Sequence, residues 1–127
     1  KKEVLFLGWR SDVPTLLYLA DVYVASSKSE GLGLNLIEAM ACGLPVVATK
    51  NRGHKEMVVH GSTGFLVDVN DSEAMAKYVM QLCENAELRK GIIEQARLEI
   101  EKFGTAPAIK ELVDIVILGV RCFSPLR

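Results

Sequence analysis

Cysteine is scarce in this sequence, and its three cysteines lie far apart. Cys42, Cys83 and Cys122 form no C-x-x-C pair, so their spacing predicts neither a redox dithiol nor a thiolate metal site. An odd and widely spaced set of cysteines also argues against a disulfide framework and favours a reducing, intracellular setting. The sequence therefore predicts a cytoplasmic protein.

Charge of one sign and long apolar runs are lacking as well. The 127 residues carry 15 basic and 16 acidic side chains, and no block of Lys or Arg offers the electrostatic surface that nucleic acid requires. The longest apolar-rich stretch, 32–48, is interrupted by Asn35, Glu38 and Pro45, which does not match a membrane span of about twenty apolar residues. We therefore predict one globular domain without a nucleic-acid partner or a transmembrane segment.

Short apolar runs and helical segments alternate along the chain, which predicts an α/β fold with a parallel, Rossmann-like sheet flanked by helices. The predicted strands are 4–7, 22–25, 45–49 and 65–67. Helices are predicted after the N-cap Asp12, over 34–42 up to Gly43, around 56–59, after a capping box of Asn70 and Glu73, over 87–103, and after Thr105.

The segment 30–38 is the strongest candidate for a binding site, because ligands of parallel α/β sheets bind beyond the carboxyl ends of the strands. Gly31 and Gly33 lie where a helix begins, and a backbone without Cβ atoms together with free N–H groups suits a phosphate or diphosphate. Glu30 and Glu38 would offer acceptor oxygens to hydroxyl groups. From spacing alone, the alternative that the glycines only form turns and the carboxylates are only solvated stays open.

Other polar residues are predicted to have no chemical role. His54 and His60 are expected to be surface histidines, because neither has a triad-like arrangement with Ser, Cys or a carboxylate. The cations Lys50, Arg52 and Lys55 are expected to be solvated. Cys42, at the end of a helix, is expected to be a small core residue.

The run 20–49, A-D-V-Y-V-A-S-S-K-S-E-G-L-G-L-N-L-I-E-A-M-A-C-G-L-P-V-V-A-T, resembles the donor site of the family 4 glycosyltransferases, or glycosyl transferases group 1. The E-x7-E spacing from Glu30 to Glu38 is the most specific part of the resemblance. Similarity continues at 6–8 and at 61–67. The resemblance implies the GT-B fold and a retaining transfer of a sugar from a nucleotide diphosphate.

Carried over to this sequence, the family pattern makes Glu30 the catalytic carboxylate that contacts the hydroxyls of the donor sugar, and Glu38 the acceptor for the ribose hydroxyls. The backbone that approaches sugar and diphosphate is then Gly31, Leu32, Gly33 and Leu34, and the residues beside the nucleotide base are Trp9 and Arg10. No metal and no cofactor is implied, since the nucleotide sugar, expected to be a UDP-sugar, is a substrate.

The resemblance further implies that residues 1–118 are the C-terminal nucleotide-sugar-binding domain of a longer enzyme, followed by an irregular tail at 119–127. The family's G-R-x-x-x-x-K-G loop and its N-terminal acceptor domain do not occur in this sequence, so the chain alone is expected to be inactive. Asn51-Arg52-Gly53-His54 resembles the exopolysaccharide and capsule branch of the family. The donor sugar is expected to be of the hexose type.

A glycan or lipid-linked acceptor would be bound by the other domain, and a lipid-linked one would place the enzyme at the cytosolic face of the membrane. Two alternatives to the transferase remain: a non-catalytic nucleotide-sugar-binding module and a GT-B nucleotide-sugar epimerase. The E-x7-E spacing disfavours the epimerase, whereas the lack of the G-R-x-x-x-x-K-G loop keeps the binding module open.

Overall fold

A three-stranded parallel sheet organises the chain in the structure, a computed structural model that describes residues 4–103. Strands β1 (Tyr23–Ala25), β2 (Val46–Thr49) and β3 (Phe65–Val67) lie in the order β1-β2-β3. In register, Tyr23 lies opposite Val46, and Val47 lies opposite Phe65. The predicted α/β class and the parallel sheet are therefore confirmed.

Helices alternate with the strands and then complete the described part of the chain. They are α1 (Val13–Leu19), α2 (Leu34–Ala41), α3 (Arg52–Met57), α4 (Ser72–Glu84) and α5 (Ala86–Phe103). The predicted helix after Thr105 and the predicted tail at 119–127 lie outside the described residues. No helix within 4–103 has both the length and the apolar character needed to cross a bilayer.

Every residue of β2 and β3 is buried, whereas Val24 of β1 is 44% exposed. Burial on both faces explains why β2 and β3 are continuous apolar runs rather than alternating ones. Val46 and Ala48 of β2 point into a core formed with α2, whereas Val47 points into a second core beneath α4. Helix α5 borders both cores, and it places Ile92 in the second and Ile100 in the first. The helix predicted over 87–103 is thus confirmed as α5.

The run 4–7 was predicted as a first strand, and this prediction is wrong. Within the described residues it pairs with no strand, and the side chains of Val4, Leu5 and Phe6 are 66%, 73% and 93% exposed. A continuous apolar run indicates a buried strand only where a neighbouring strand supplies hydrogen bonds and helices cover both faces. In the described structure this segment has neither.

Helix α2 ends as the sequence predicts, at a glycine in the left-handed region. Gly43 has φ 79°, its N–H donates to Met40 O at 3.0 Å, and Leu44 N donates to Ala39 O at 3.0 Å. These two hydrogen bonds form a Schellman motif, which satisfies carbonyls that the helix itself leaves free.

Helix α4 is capped one residue later than predicted. The Asp71 carboxylate accepts the Ala74 N–H at 2.9 Å, so Asp71 rather than Asn70 is the N-cap. Asn70 instead adopts φ 70°, a left-handed conformation that asparagine tolerates better than most residues. The predicted capping box of Asn70 and Glu73 is therefore wrong, although a helix does begin here.

Candidate functional site

Hydrogen bonds join the loop that follows β1 to the end of β2 and its following loop, at the carboxyl edge of the sheet. Thr49 Oγ1 donates to Ser27 O at 2.5 Å, and Asn51 Nδ2 donates to the same carbonyl at 2.9 Å. Thr49 and Asn51 are both buried. The loop that carries Glu30 is therefore held by buried polar side chains of the next strand and its loop.

Gly53 brings helix α3 into contact with the backbone of Glu30. Its N–H donates to Glu30 O at 3.0 Å, and a Cβ at this position would lie 2.7 Å from that same oxygen. Such a distance is shorter than real Cβ contacts allow, so the approach requires glycine. A Cβ on Gly33 would likewise lie 3.2 Å from Gly53 O, so Gly53 lies against both Glu30 and the start of α2.

His54 is buried against the Glu30 carboxylate, and the prediction that it is a surface histidine is wrong. Its side chain is 0% exposed, and its Nε2 lies 2.9 Å from Glu30 Oε2, whose side chain is 28% exposed. On the opposite side of the ring, Nδ1 lies 2.7 Å from Thr49 O. The ring therefore links the end of β2 to the candidate site.

The buried position of His54 follows from where α3 begins. The side chain of Asn51 accepts the His54 N–H at 2.9 Å, which makes Asn51 the N-cap and starts the helix at Arg52, earlier than the predicted turn around 56–59. His54 then shares the inner side of the helix with Met57 and Val58, which are also buried. The N-cap spacing of Asn51, followed by apolar residues three and four positions after His54, is the signal that could have identified it.

The start of α2 has the features of an anion site. Gly33 is the N-cap, with φ 53° and no side-chain cap, and its carbonyl accepts the Leu36 N–H at 3.0 Å. No acidic residue lies in the first turn. The first N–H groups of a helix lack partners within it, and the positive end of the helix dipole favours an anion there.

Glu38 lies on α2, one turn beyond Gly33, and is half-buried. Within the described part of the chain, no side chain makes a hydrogen bond or an ion pair with its carboxylate. Leu32 and Leu34 are 45% and 40% exposed, and Gly31 is also exposed, so this loop is accessible to a ligand. The roles assigned to these residues by resemblance remain predictions.

Trp9 and Arg10 precede α1, and within residues 4–103 no hydrogen bond or ion pair joins them to the Glu30 loop. The Trp9 side chain is 90% exposed. Arg10 forms hydrogen bonds of 2.7 and 2.6 Å with the Asp12 carboxylate, which raise the pKa of Arg10 and lower the pKa of Asp12. Asp12 thus occupies the N-cap position of α1 but bonds to Arg10 instead of capping the helix. Proximity of Trp9 and Arg10 to a nucleotide base remains a prediction.

Most of the remaining polar candidates have partners of their own. Lys50 pairs with Asp68 at 3.1 Å, and Arg52 lies 3.6 Å from Glu56. His60 is exposed, as predicted, and its Nδ1 accepts the Leu66 N–H at 3.0 Å. Across residues 4–103, no group of three or more His, Cys, Asp or Glu side chains is arranged to hold a metal ion.

Cys42 is a buried core residue, as predicted, and its thiol is expected to react slowly. Burial, with a smaller contribution from the Glu38 carboxylate, raises the pKa of Cys42, so less thiolate is present at a given pH. Cys83 is exposed.

We expect iodoacetamide at pH 8 to alkylate Cys83 well before Cys42 in the folded chain, as measured by peptide mass mapping. Equal rates in the folded chain would contradict this expectation, and equal rates in urea provide the control.

Comparisons with known proteins agree with the fold. Residues 1–99 match the family model described as glycosyl transferases group 1. The putative glycosyltransferase EpsD of Bacillus subtilis is 43% identical over 89% of this chain and 30% of its own length. The N-acetyl-alpha-D-glucosaminyl L-malate synthase of Bacillus anthracis is 38% identical over 86% of this chain and 29% of its own length. The chain thus spans about 30% of these curated relatives.

Solved structures of glycosyltransferases have a similar fold. Anabaena Alr3699/HepE, in complex with UDP and glucose, aligns with a TM-score of 0.77 and 30% identity over 95% of this chain and 31% of its own. The C-terminal domain of a group 1 glycosyl transferase, LpcC from Francisella tularensis, aligns with a TM-score of 0.68 and 28% identity over 78% of this chain and 51% of its own. The parallel sheet flanked by helices is that of the GT-B glycosyltransferases. This chain therefore belongs to the glycosyl transferases group 1 family.

Proposed function

We propose that residues 1–118 form the C-terminal, donor-binding domain of a retaining glycosyltransferase. The enzyme would transfer a hexose-type sugar from a UDP-sugar to an acceptor hydroxyl in glycan, exopolysaccharide or capsule synthesis. The acceptor would be bound by an N-terminal domain of the same polypeptide. The similarity to HepE, whose structure holds UDP and glucose, supports the donor class, and the similarity to EpsD supports a glycosyltransferase.

The observation that carries this proposal is the meeting of Glu30 with the glycine-capped start of α2. Gly53 lies against the backbone of Glu30 on one side and against Gly33 on the other, so the residue that carries the carboxylate lies near a helix start that suits an anion. A nucleotide diphosphate sugar has hydroxyl groups and a diphosphate in the same adjacent arrangement. One donor molecule could therefore satisfy both features.

During sugar transfer the site must stabilise the leaving diphosphate while positive charge develops at the anomeric carbon. The fixed N–H dipoles at the start of α2 would stabilise the negative charge of the diphosphate electrostatically. Glu30 would orient the sugar through its hydroxyl groups, and Glu38 would accept hydrogen bonds from the ribose diol. Neither carboxylate is assigned as a nucleophile, because each is proposed to bind hydroxyl groups at a different part of the donor.

The test of this proposal is donor binding by a Glu38→Ala variant of the complete polypeptide that contains the chain. UDP-glucose is titrated by calorimetry, and we expect the affinity to fall by at least about tenfold, because the hydrogen bonds lost are assisted by charge. Glu94→Ala is the matched control, since Glu94 is an exposed carboxylate on α5. It should bind UDP-glucose as the unaltered protein does.

Each outcome of this experiment has a clear meaning. Unchanged affinity in Glu38→Ala would remove the ribose assignment, and lack of UDP-glucose binding by the unaltered polypeptide would count against the UDP-sugar donor. Binding without transfer to any acceptor would favour a non-catalytic nucleotide-sugar-binding module. Transfer of glucose with retention, followed by anomeric NMR of the product, would support the proposed reaction.

A further inference from the structure

We propose that His54 is a positioning residue for the reaction, which fixes the Glu30 carboxylate in the orientation that meets the donor sugar. The inference rests on the proposed function, because it concerns how Glu30 presents its oxygens to a sugar. It is carried by the two contacts of the buried imidazole, one to a main-chain carbonyl and one to the carboxylate.

The hydrogen bonds around the ring determine where its protons lie. A carboxylate oxygen accepts hydrogen bonds, so Nε2, which lies 2.9 Å from Glu30 Oε2, carries a hydrogen and donates it. Nδ1 lies 2.7 Å from Thr49 O and 3.0 Å from Asn51 Nδ2, whose amide group also donates to Ser27 O. Both nitrogens of the ring therefore have polar partners within the protein.

The hydrogen lies between Nε2 and Glu30 Oε2, since two lone pairs at 2.9 Å would repel each other. Because the His54 side chain is 0% exposed, water does not replace the carboxylate as its partner, and loss of this contact would leave a buried polar atom unsatisfied.

The consequence for Glu30 is that it is held at two points by consecutive residues of α3. The Gly53 N–H binds its main-chain oxygen at 3.0 Å, and His54 binds Oε2. Among the described residues no hydrogen bond is made to Oε1, and the Glu30 side chain is 28% exposed. A carboxylate that is already fixed loses little conformational freedom when a hydroxyl group binds to it, so more of the interaction energy contributes to affinity.

Two substitutions separate the contacts of the ring. In His54→Asn the amide can take the position of Nδ1 and keep the Thr49 contact, whereas it cannot reach Glu30. In His54→Gln the longer amide can take the position of Nε2 and donate to Glu30. If His54 only filled space in the core, Asn and Gln would cause about equal losses of UDP-glucose affinity. Comparing the two variants therefore distinguishes a positioning role from a packing role.

The measurement is a titration of UDP-glucose and, separately, of UDP, with both variants in the complete polypeptide. We expect His54→Asn to weaken UDP-glucose by at least about tenfold while UDP changes by less than about threefold, because Glu30 contacts only the sugar. His54→Gln should recover most of the UDP-glucose affinity. Equal losses for both ligands, or no loss in His54→Asn, would overturn the proposal.

A spectroscopic measurement on the unaltered chain keeps the proposal testable if the variants fail to fold. In nitrogen-15 NMR of the histidine rings at pH 7, Nε2 of His54 should show the chemical shift of a protonated nitrogen. Nδ1 of His60, which accepts a hydrogen bond from Leu66 N–H, provides the comparison with an unprotonated nitrogen. An unprotonated Nε2 in His54 would contradict the proposed contact with Glu30. If the unaltered polypeptide bound no nucleotide sugar while Nε2 of His54 was protonated, the proposed function would fail but the contact would stand.

Discussion

Replacement of Gly53 by alanine is expected to lower the free energy of unfolding by about 1–3 kcal/mol and to weaken UDP-glucose binding, because the added methyl group overpacks a tight contact. Its Cβ would lie 2.7 Å from Glu30 O and 3.1 Å from the carbonyl carbon of Gly31. These are backbone atoms and cannot rotate away as the end of a flexible side chain could. The loop that carries Glu30 must therefore shift, and the Gly53 hydrogen bond to it must lengthen.

Urea denaturation followed by circular dichroism measures the first effect, and calorimetric titration of UDP-glucose measures the second. Gly91→Ala is the control, because a Cβ on Gly91, in the interior of α5, meets nothing within 4 Å. This variant should be more stable than the original by up to about 1 kcal/mol, the usual difference in helix propensity between the two residues. If Gly53→Ala matched the original in both measurements, the close approach of α3 to the Glu30 loop would be refuted.

The three strands of the sheet could be predicted because their local pattern and their final environment agree. Each is a short apolar run bounded by Gly, Pro or polar residues. In the structure β2 and β3 are buried on both faces, and β1 pairs with β2. The run 4–7 has the same local pattern and is not a strand. The run 4–7 differs from the three strands in having no neighbouring strand among the described residues to pair with, and a local sequence pattern contains no information about which strand will lie next to it.

The candidate site was predictable only in the part that is contiguous along the chain. Glu30 and Gly33 lie in the connection from β1 to α2, and Glu38 follows on α2, so their spacing along the chain already indicates a possible ligand. His54 is 24 residues from Glu30, and their contact exists only because β2 returns beside β1 and α3 begins directly after it. The N-cap at Asn51 determines which residues of α3 point inward, and a shift of two residues would turn His54 to solvent. For this reason a histidine with no nearby partner in the sequence was taken for a surface residue.

Leu36→Ala is expected to have the largest effect on stability, a loss of about 2–5 kcal/mol in the free energy of unfolding. Leu36 is 0% exposed and lies in the core that α2 forms with the sheet. Its N–H also bonds to Gly33 O, so the side chain is anchored directly beside the N-cap of the candidate anion site. Removing three heavy atoms here leaves a cavity that the surrounding side chains can fill only in part.

Urea denaturation of the chain measures this loss, and Leu98→Ala is the matched control. Leu98 lies on α5 with 54% of its side chain exposed, so its truncation removes little buried area and should change the free energy of unfolding by less than about 1 kcal/mol. Equal effects of the two substitutions would contradict the burial of α2 against the sheet. Since the first-turn N–H groups of α2 are oriented by this packing, Leu36→Ala should also weaken UDP binding in the fraction of protein that remains folded, whereas Leu98→Ala should not.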